Sequence, residues 1–523
     1  MSCQKASHRM RIQTAIFIGI AYCLCGCLDR QPKDWVDAGR LPGVWPDYND
    51  VTIPPNIAPL NFLVKEHGDR YYIQIRSTLG RPVEVCSRSG AIKIPIKQWR
   101  QLVQSNIGQD LSIEVYVQAS DGRWQRFMPL VIHVASDPVD RYLVYRLIRP
   151  LFMYVGRMGL YQRDLTSFAE RPILLNTATG GNCINCHAFH NYNPDRMILH
   201  MRAGKIGTYM LMAYDGQVFK VDTKTEFNHA TSYRCWHPDG RTIAFAFNIV
   251  RQVFHARGQT RDVYDRASDL LVYDAIGHRA STSVQISSPR RMETYPEWSP
   301  DGRFLYLCSG PALEDVNGMP EPHKAMRYDL MRIPYEPQSR TFGQIEMVLN
   351  TSQMGLSAAH PKISPDGRYL LVCISDCTYF PLYRPESDLY LLDLSTGRFS
   401  KAENINSAQA EGYHCWSSNG RWVIFSSKRE DGECTHLYLC YFDKDGHFHK
   451  PFLMPQQDPA YHSMQVVVYN LPEFLKAPIR MSPRALVRAA WSKRILKTTL
   501  DPTVASRLRQ PVEDVPYTSL GTR

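Results

Sequence analysis

Tyr295-Pro-Glu-Trp-Ser-Pro-Asp-Gly-Arg303 is the stretch that decides the fold, because the 523-residue chain repeats its pattern three more times. In each copy the Asp or Asn tolerates a tight turn, and the Gly adopts a positive φ that other residues reach only at a cost. An apolar segment follows each copy, so the pattern predicts a hairpin turn that leads into a β-strand. The other copies are Tyr233-Arg-Cys-Trp-His-Pro-Asp-Gly-Arg241, His360-Pro-Lys-Ile-Ser-Pro-Asp-Gly-Arg368 and Tyr413-His-Cys-Trp-Ser-Ser-Asn-Gly-Arg421.

The spacing of these copies, about 53 to 65 residues, predicts how the hairpins assemble. Each repeat continues into further strands, and a four-stranded unit of this kind cannot bury both of its faces alone. Such units stack radially, which predicts a mainly β protein with a β-propeller of six blades over residues 206–475. A Trp or Ile five residues before the final Arg is expected to fill the layer between neighbouring sheets. These residues are Trp236, Trp298, Ile363 and Trp416.

The repeats are longer than a compact propeller blade, which indicates insertions between strands. The longest insertions are expected around residues 250–267 and 311–324. Loops at these places would line one face of the propeller, where we expect a partner to bind.

The residues before the repeats predict a separate module. Short strands with alternating apolar residues run from residue 59 to residue 136, with one of them at Ile92–Ile96. This pattern favours a small β-sandwich of the immunoglobulin or fibronectin kind. Residues 28–58 are rich in Pro, Asp and Gly and are expected to form a tether.

The run Cys183-Ile-Asn-Cys-His187 has the C-x-x-C-H spacing at which c-type haem is attached. Two thiols at this spacing can each bond one porphyrin vinyl group, and the adjacent imidazole can ligate the iron. The sequence therefore predicts one covalently bound haem c, held by Cys183, Cys186 and His187 in a short helical connector over residues 137–205. A zinc half-site and an ordinary or redox-active thiol pair are the alternatives.

The second iron ligand is expected to follow the motif in the chain. His200 is the favoured candidate, ahead of Met201 and Met197, because their segment lies a short loop beyond the motif and can fold back over the ring. His190 lies only three residues past the proximal ligand and is poorly placed to reach the opposite face.

The first 27 residues predict export from the cytoplasm. A basic start is followed by a short apolar run over residues 14–24 and by Leu24-Cys-Gly-Cys27, which together indicate a secretory signal. Its last four residues resemble the lipobox of bacterial lipoproteins, and Cys27 is then the lipidated residue. A plain secretory signal and an uncleaved anchor are the alternatives. We expect the chain to lie in the bacterial cell envelope, anchored to the membrane and facing the periplasm or the cell surface.

The formal charge of +11 is concentrated partly in residues 476–523. The segment from Ser482 to Leu496 predicts a helix, because Ser482 can cap it and Pro483 suits its first position. We expect this basic helix to pack on the body through Leu486, Trp491 and Ile495, with contact to anionic lipid or an acidic partner as the alternative. Basic runs interleaved with aromatic residues are absent, so no nucleic-acid partner is expected.

The four repeats resemble the WD40-like β-propeller units of TolB-type proteins over roughly residues 206–475. The fourth copy departs from the pattern by carrying Ser418-Asn419 in place of Pro-Asp. The whole arrangement, including the segment Ile53–Phe62, is similar to bacterial TolB-like lipoproteins that carry a single C-x-x-C-H motif. The resemblance implies an architecture and a cell-envelope location, and it implies no substrate.

Three functions remain open at the level of sequence. The first is a lipid-anchored monohaem cytochrome that transfers electrons and uses the propeller as a docking platform. The alternative is a TolB-like scaffold that binds another protein of the cell envelope and in which haem is structural or sensory. The third is an enzyme, for which only His360, His414 and His462 suggest a convergent metal site.

Overall fold

The structure is a computed structural model that describes residues 31–148, 157–253, 262–312, 322–377 and 380–505. It is mainly β, and its described strands form eight sheets. Two sheets lie in an N-terminal module over residues 31–136, and six sheets follow it in the chain.

The N-terminal module contains a seven-stranded sheet, a three-stranded sheet and one helix. Its elements are β1 (Val36–Asp37), β2 (Val44–Trp45), β3 (Val51–Ile53), β4 (Phe62–Val64), β5 (Arg70–Arg76), β6 (Val83–Ser87), β7 (Ala91–Ile92), α1 (Ile96–Ser105), β8 (Asp110–Gln118), β9 (Trp124–Arg126) and β10 (Leu130–Val134). The larger sheet has the order β1-β9-β8-β10-β3, with β5 pairing to β8 and β6, and the smaller sheet has the order β2-β4-β7.

Two expectations for this region differ from the structure. Residues 36–53, expected to be part of a tether, form β1, β2 and β3, and Val51 and Ile53 are fully buried. The strand expected at Ile92–Ile96 ends at Ile92, because α1 begins at Ile96 after Pro95. The helix buries Trp99, Leu102 and Val103, whose spacing places them on one helical face.

The six remaining sheets contain most of the chain. Their strands up to residue 311 are β11 (Tyr142–Ile148), β12 (Gly159–Asp164), β13 (Glu170–Leu175), β14 (Cys183–His190), β15 (Asn193–Arg202), β16 (Tyr209–Tyr214), β17 (Gln217–Asp222), β18 (Arg234–Trp236), β19 (Thr242–Val253), β20 (Asp262–Asp274), β21 (Arg279–Ser281), β22 (Arg291–Trp298) and β23 (Phe304–Pro311). The elements that follow are α2 (Pro322–Ala325), β24 (Asp329–Glu336), β25 (Thr341–Phe342), β26 (Glu346–Leu349), β27 (Ser357–Ile363), β28 (Tyr369–Ser375), β29 (Asp388–Asp393), β30 (Phe399–Lys401), β31 (Glu411–Trp416), β32 (Trp422–Ser427), β33 (His436–Tyr441), β34 (Phe452–Leu453), α3 (Tyr461–Met464), β35 (Val468–Leu475), α4 (Pro483–Ala490), β36 (Leu496–Lys497), β37 (Thr499–Leu500) and α5 (Pro502–Ala505).

Five of these sheets are antiparallel meanders of consecutive strands, and one joins both ends of the region. Sheet 1 has the order β13-β12-β11-β35, so a strand near the C-terminus completes a sheet begun at residue 142. Sheets 2 to 6 begin with β14, β18, β22, β27 and β31 respectively. These five first strands and β35 contact one another in a closed cycle, which gives a propeller-type arrangement around a central axis.

The helical connector expected over residues 137–205 is wrong. The described residues 142–148 and 157–175 contain β11, β12 and β13, and the C-x-x-C-H run lies in β14. Apolar side chains cover both faces of β11, since the consecutive residues Leu143, Val144 and Tyr145 are all fully buried, which is typical of a strand inside the protein.

The repeated turns have the predicted conformation. The four glycines of the repeats, Gly240, Gly302, Gly367 and Gly420, have φ between +66° and +76°. In each turn the Asp or Asn side chain accepts a hydrogen bond from the backbone N–H of the following Arg. The prediction for the interlayer residues is confirmed too, because Trp236, Trp298, Ile363 and Trp416 are all buried.

The N-terminal module packs against the seam where sheet 6 meets sheet 1. One core cluster contains Val51 and Ile53 of the module together with Trp422 of sheet 6 and Tyr469 of sheet 1. Polar contacts hold the same seam, since the Thr52 hydroxyl lies 2.8 Å from Nδ1 of His449.

The departure of the fourth repeat from the pattern occurs at this seam. The backbone N–H of Ser418 donates to Oδ2 of Asp140 at 2.6 Å, and its hydroxyl donates to Oδ1 at 2.7 Å. Nδ2 of Asn419 donates to the Pro138 carbonyl at 2.7 Å. The Pro-Asp of the other repeats could make neither the backbone bond nor the amide bond.

The C-terminal segment fastens sheets 1 to 3 from outside. Ser482 caps α4 as predicted, by accepting a hydrogen bond from the Ala485 N–H, and Leu486 is fully buried. After α4, β36 pairs in parallel with β17, and β37 pairs in parallel with β21. Among the described residues, no helix is both long and apolar enough to span a lipid bilayer. The predicted signal and the lipidation residue Cys27 lie outside the described residues.

Candidate functional site

The structure contradicts the prediction of haem c at Cys183, Cys186 and His187. In β14 the motif pairs with β15, and the His187 ring is 1% exposed and packs edge-on against Phe189. Its Nε2, the atom that would bind the haem iron, lies 3.8 Å from a carboxylate oxygen of Glu473. A protein side chain therefore occupies the space that the porphyrin would need. Neither cysteine forms a disulfide with a described residue, and the described residues contain no group of three or more His, Cys, Asp or Glu side chains that could hold a metal ion.

The candidates for the second iron ligand are also buried in the core. The His200 ring is buried, with Nε2 at 2.6 Å from the Thr231 hydroxyl and Nδ1 at 3.4 Å from the Cys186 carbonyl. Met201 and Met197 are fully buried among the apolar side chains of sheets 1 and 2. These residues therefore pack the fold, and none of them faces a space for a planar ring.

The inner strands share a local distortion that the sequence did not reveal. Five of the six, all except β18, carry a β-bulge, and the residue at the bulge has a positive φ although it is not glycine. Such a conformation is uncommon for bulky side chains and is maintained by the surrounding structure. The residues are Cys186 (φ +54°), Tyr295 (+51°), His360 (+51°), Tyr413 (+45°) and Leu471 (+50°).

The bulges turn these side chains toward one another at the axis. The ring centroids of Tyr295 and His360 are 4.0 Å apart, and those of His360 and Tyr413 are 4.7 Å apart. Tyr233, which holds the equivalent place just before β18, lies 4.4 Å from Tyr295. Leu471 packs against Tyr413. We call Tyr233, Tyr295, His360 and Tyr413 the axial plug, because their rings fill the centre of the cycle of inner strands.

Charged side chains lie two positions beyond the bulge residue along three of the inner strands, at Glu297, Lys362 and Glu473. Nζ of Lys362 lies 2.6 Å from Oε2 of Glu297. Glu473 accepts a hydrogen bond from the Phe189 N–H at 3.0 Å and faces His187. Burial opposes the charge of Lys362, but the neighbouring Glu297 raises the Lys362 pKa overall, so Lys362 stays charged.

The second carboxyl group of this layer is the one that titrates near neutrality. Burial raises the pKa of Glu473 to about 7, and Arg234 and Lys362 oppose that rise. Burial, together with Arg234, lowers the pKa of His187 well below its usual value, so this imidazole is neutral. The layer thus contains one firm ion pair and one carboxyl group whose charge depends on pH.

A pocket opens on the other side of the plug. Its empty volume, mouth included, is about 430 Å³, and Tyr413 of the plug forms part of its wall. The end of β11, the β28–β29 connection, the β32–β33 connection and the start of β35 supply the rest of the wall. The chain therefore brings these four segments and Tyr413 together where sheets 1, 5 and 6 meet.

The pocket combines cations, aromatic rings and an unpaired acceptor. Arg146 and Lys428 contribute positive charge, and Glu433 contributes a single carboxylate. The rings of Phe380 and Tyr383 stack at 5.6 Å. Oδ1 of Asn470 is buried and accepts no hydrogen bond from a described residue, which is costly unless a ligand or water supplies a donor.

The histidines suggested as a convergent metal site do not meet. His360 belongs to the axial plug, whereas Nε2 of His414 lies 2.8 Å from the Leu371 carbonyl and points into sheet 5. His462 lies beside His436, with ring centroids 4.6 Å apart, at the seam with the N-terminal module. His360 and His414 lie on inner strands and His462 lies in α3, so their comparable places along the sequence do not bring their side chains together.

Sequence reasoning missed both the plug and the pocket. A signal for the plug was present, because Tyr233, Tyr295, His360 and Tyr413 hold the same position, eight residues before the Arg of each repeat. The pocket had no such signal. Its residues come from five segments separated by up to about 320 positions, and only the closure of the cycle brings them together.

Comparison with known proteins leaves the family open. No family model matches this chain, and no curated protein matches it. Among solved structures, the chain is similar to an oligogalacturonate lyase from Vibrio parahaemolyticus, at 11% identity and a TM-score of 0.32, over 73% of this chain and 100% of that chain. It is similar to the tricorn protease at 12% identity and a TM-score of 0.32, over 77% and 48% of the two chains. For prolyl oligopeptidase B from Galerina marginata the values are 13%, 0.34, 61% and 45%. At these TM-scores none of the similarities carries an argument about function.

Proposed function

We propose that the chain is a TolB-like binding scaffold of the bacterial cell envelope, built on a six-bladed β-propeller. Its partner is a protein that inserts a short segment into the pocket beside Tyr413. The observation that carries this proposal is the buried, unpaired Oδ1 of Asn470 in a pocket that also contains Arg146 and Lys428.

The chemistry of the pocket supports a peptide segment with one carboxylate. A carboxylate would pair with Arg146 and Lys428, since both cations line the same wall. A backbone N–H of the segment would supply the donor that Oδ1 of Asn470 lacks. An apolar side chain next to the carboxylate would pack on the stacked rings of Phe380 and Tyr383.

The architecture supports a scaffold with one open face. The repeated turns lie at one end of the inner strands, and the segment directly after the N-terminal module, at Pro138 and Asp140, contacts the fourth of them. The pocket lies at the other end, among the strand connections. We propose that the N-terminal module is a β-sandwich that serves as a docking unit, a class that its seven-stranded and three-stranded sheets support.

The location is part of the same proposal. The basic, apolar and Cys-containing pattern of residues 1–27 supports export and attachment of lipid at Cys27. A membrane-anchored scaffold would present its pocket to other proteins of the envelope, facing the periplasm or the cell surface.

The test is selection of peptides by the full chain. A display library of random heptapeptides is selected on the purified protein, and the affinity of each selected peptide is measured by fluorescence anisotropy. We expect selected peptides to share a carboxylate beside an apolar residue, and Asn470→Leu or Lys428→Ala to weaken their binding by roughly tenfold or more. The matched control is Arg303→Ala, an exposed cation on the turn face, which should bind the peptides as the wild type does.

Two results would overturn the proposal. One is selection of no peptide class above background. The other is equal affinity of the selected peptides for the wild type and for both pocket variants, each verified as folded by thermal melting. Asn470→Leu preserves the side-chain volume, so loss of binding with an unchanged melting temperature would report on the acceptor itself.

A further inference from the structure

The segment between Glu473 and Asp501 contains no acidic residue and seven basic ones. It covers α4, β36 and β37, which fasten the outside of sheets 1 to 3. Neither the pocket nor the axial plug uses this segment. Its charge is therefore a feature that the proposed function leaves unexplained.

The fold fixes the orientation of this segment. Leu486, Ala489 and Ala490 bury one face of α4 in the core shared by sheets 1 and 2. The opposite face presents Arg484 and Arg488, one helical turn apart, and both are exposed. Because the helix and the two strands that follow are anchored, the cations are displayed on a rigid surface.

Trp491 lies on the same exposed side as these cations. Its side chain follows Arg488 by three residues and is 50% exposed. Its Nε1 donates to the Ala178 carbonyl at 3.0 Å, so the ring is fixed and its polar group is already satisfied. What remains exposed is an apolar ring surface next to positive charge.

The cations of this surface have no acidic partner among the described residues. No ion pair joins Arg484, Arg488 or the later cations to another described side chain, whereas Arg241 and Arg368 on the turn face are paired with Asp274 and Asp393. We define the cationic tail surface by its exposed residues, which are Arg484, Arg488, Trp491, Lys493, Arg494 and Lys497.

We propose that the cationic tail surface binds the anionic headgroups of a lipid bilayer. A dense row of unpaired cations is attracted to a negatively charged surface over roughly one Debye length, about 8–10 Å. A tryptophan with its N–H satisfied places its ring at the boundary between headgroups and acyl chains, where aromatic residues are enriched. The arrangement of both features on one rigid face favours a flat, anionic and partly apolar partner.

This contact would orient the protein on the membrane. The proposal is independent of the pocket, because no residue of the cationic tail surface lines it. A second, electrostatic contact would also add to the hold of a lipid anchor.

The test measures vesicle binding by the full chain carrying Cys27→Ser, which removes the proposed lipid attachment. The protein is sedimented with vesicles of phosphatidylcholine alone or with roughly one-third phosphatidylglycerol. We expect binding to the anionic vesicles alone, and a loss of about tenfold in affinity in the variant Arg484→Ala/Arg488→Ala/Lys493→Ala. Raising the salt to about 0.5 M should release the wild type, and Trp491→Ala should weaken binding several-fold.

The control variant removes three exposed cations elsewhere, Arg81→Ala/Lys93→Ala/Lys97→Ala in the N-terminal module, and should bind as the wild type does. Equal loss in both triple variants would mean that only net charge matters, and would overturn the proposal. So would binding to neutral vesicles as strong as binding to anionic ones. Capture of the chain by polyglutamate without binding to anionic vesicles would assign the surface to an acidic protein and overturn it as well.

Discussion

At the scale of single residues, the charged layer beside the axial plug contains the side chain with the clearest expected dependence on pH. Glu473 faces Arg234, Lys362, Glu297 and His187, and burial is the main cause of its raised pKa of about 7. Folding therefore favours the neutral form of this carboxyl group. The stability that neutral Glu473 contributes to the folded state is fully present below the ordinary glutamate pKa near 4.5. It is lost as the pH rises through about 7, the pKa of Glu473 in the folded protein.

Glu473→Gln is expected to remove this decline. The amide stays neutral, and its oxygen can still accept from the Phe189 N–H. The free energy of unfolding of the variant should change less than that of the wild type between about pH 5 and about pH 8, and should exceed it at the higher pH. Urea unfolding at the two pH values measures this. Glu226→Gln, on an exposed loop, is the control and should keep the wild-type slope. An identical slope in Glu473→Gln would contradict the pKa shift.

The surroundings of single residues also explain why the haem interpretation of the C-x-x-C-H motif was wrong. Five residues specified a chemistry by spacing, but spacing carries no information about the surface that those residues face. In β14 the motif lies at the inner bulge of sheet 2, where Cys186 holds the position that Tyr295 and His360 hold in their sheets. The prediction failed because the motif is embedded in the repeat of the fold.

At the scale of elements, local turn chemistry made the repeats predictable. Asp or Asn followed by Gly requires one conformation whatever surrounds it, so the hairpins and the buried Trp layer followed from sequence. The segments without turn signals were misassigned. The apolar run at residues 142–148 has no clear period because the strand is buried on both faces, and such a run is as compatible with a helix as with a strand.

The fourth turn provides a prediction at this scale. Ser418→Pro restores the sequence pattern of the other repeats, but it removes an N–H that donates to the Asp140 carboxylate at 2.6 Å. We expect the variant to be destabilised by about 1–3 kcal/mol, because the carboxylate loses a hydrogen bond at a partly buried seam. Thermal unfolding measures the loss.

The reverse change serves as the control for this prediction. Pro300→Ser places the fourth-repeat residue into the second repeat, where Pro300 is exposed. It should change stability by less than about 0.5 kcal/mol, as is usual for surface substitutions. A Ser418→Pro variant as stable as Pro300→Ser would show that the stability of the protein does not depend on the contact between Ser418 and Asp140.

At the scale of the whole molecule, β35 holds the cycle of sheets together. It pairs with β11 from Tyr142 to Ile148 and places Tyr469 and Phe474 in the core shared with the N-terminal module. The later strands β36 and β37 each add two residues to the edge of a sheet that is already complete. Loss of β35 should therefore lower the stability of the fold far more than loss of β36 and β37.

Truncation distinguishes them. A chain that ends at residue 495, without β36 and β37, is expected to fold and to unfold cooperatively at a somewhat lower temperature. A chain that ends at residue 467 lacks β35 and leaves the buried faces of sheets 1 and 6 uncovered, so we expect it not to unfold cooperatively. Circular dichroism during heating compares the two. Similar melting curves would contradict the role given to β35.

The pairing of β11 with β35 has a consequence for the order of events during synthesis. Tyr142 pairs with Leu475, so more than 300 further residues must leave the ribosome before β35, the inner strand of sheet 1, can pair with β11. During that interval β11 offers an open edge of apolar residues, and sheets 2 to 6 can form in turn from neighbouring segments. The final step joins partners far apart in the chain and bears the largest entropic cost of loop closure. The nascent protein is therefore most exposed to misassembly just before its last inner strand is made.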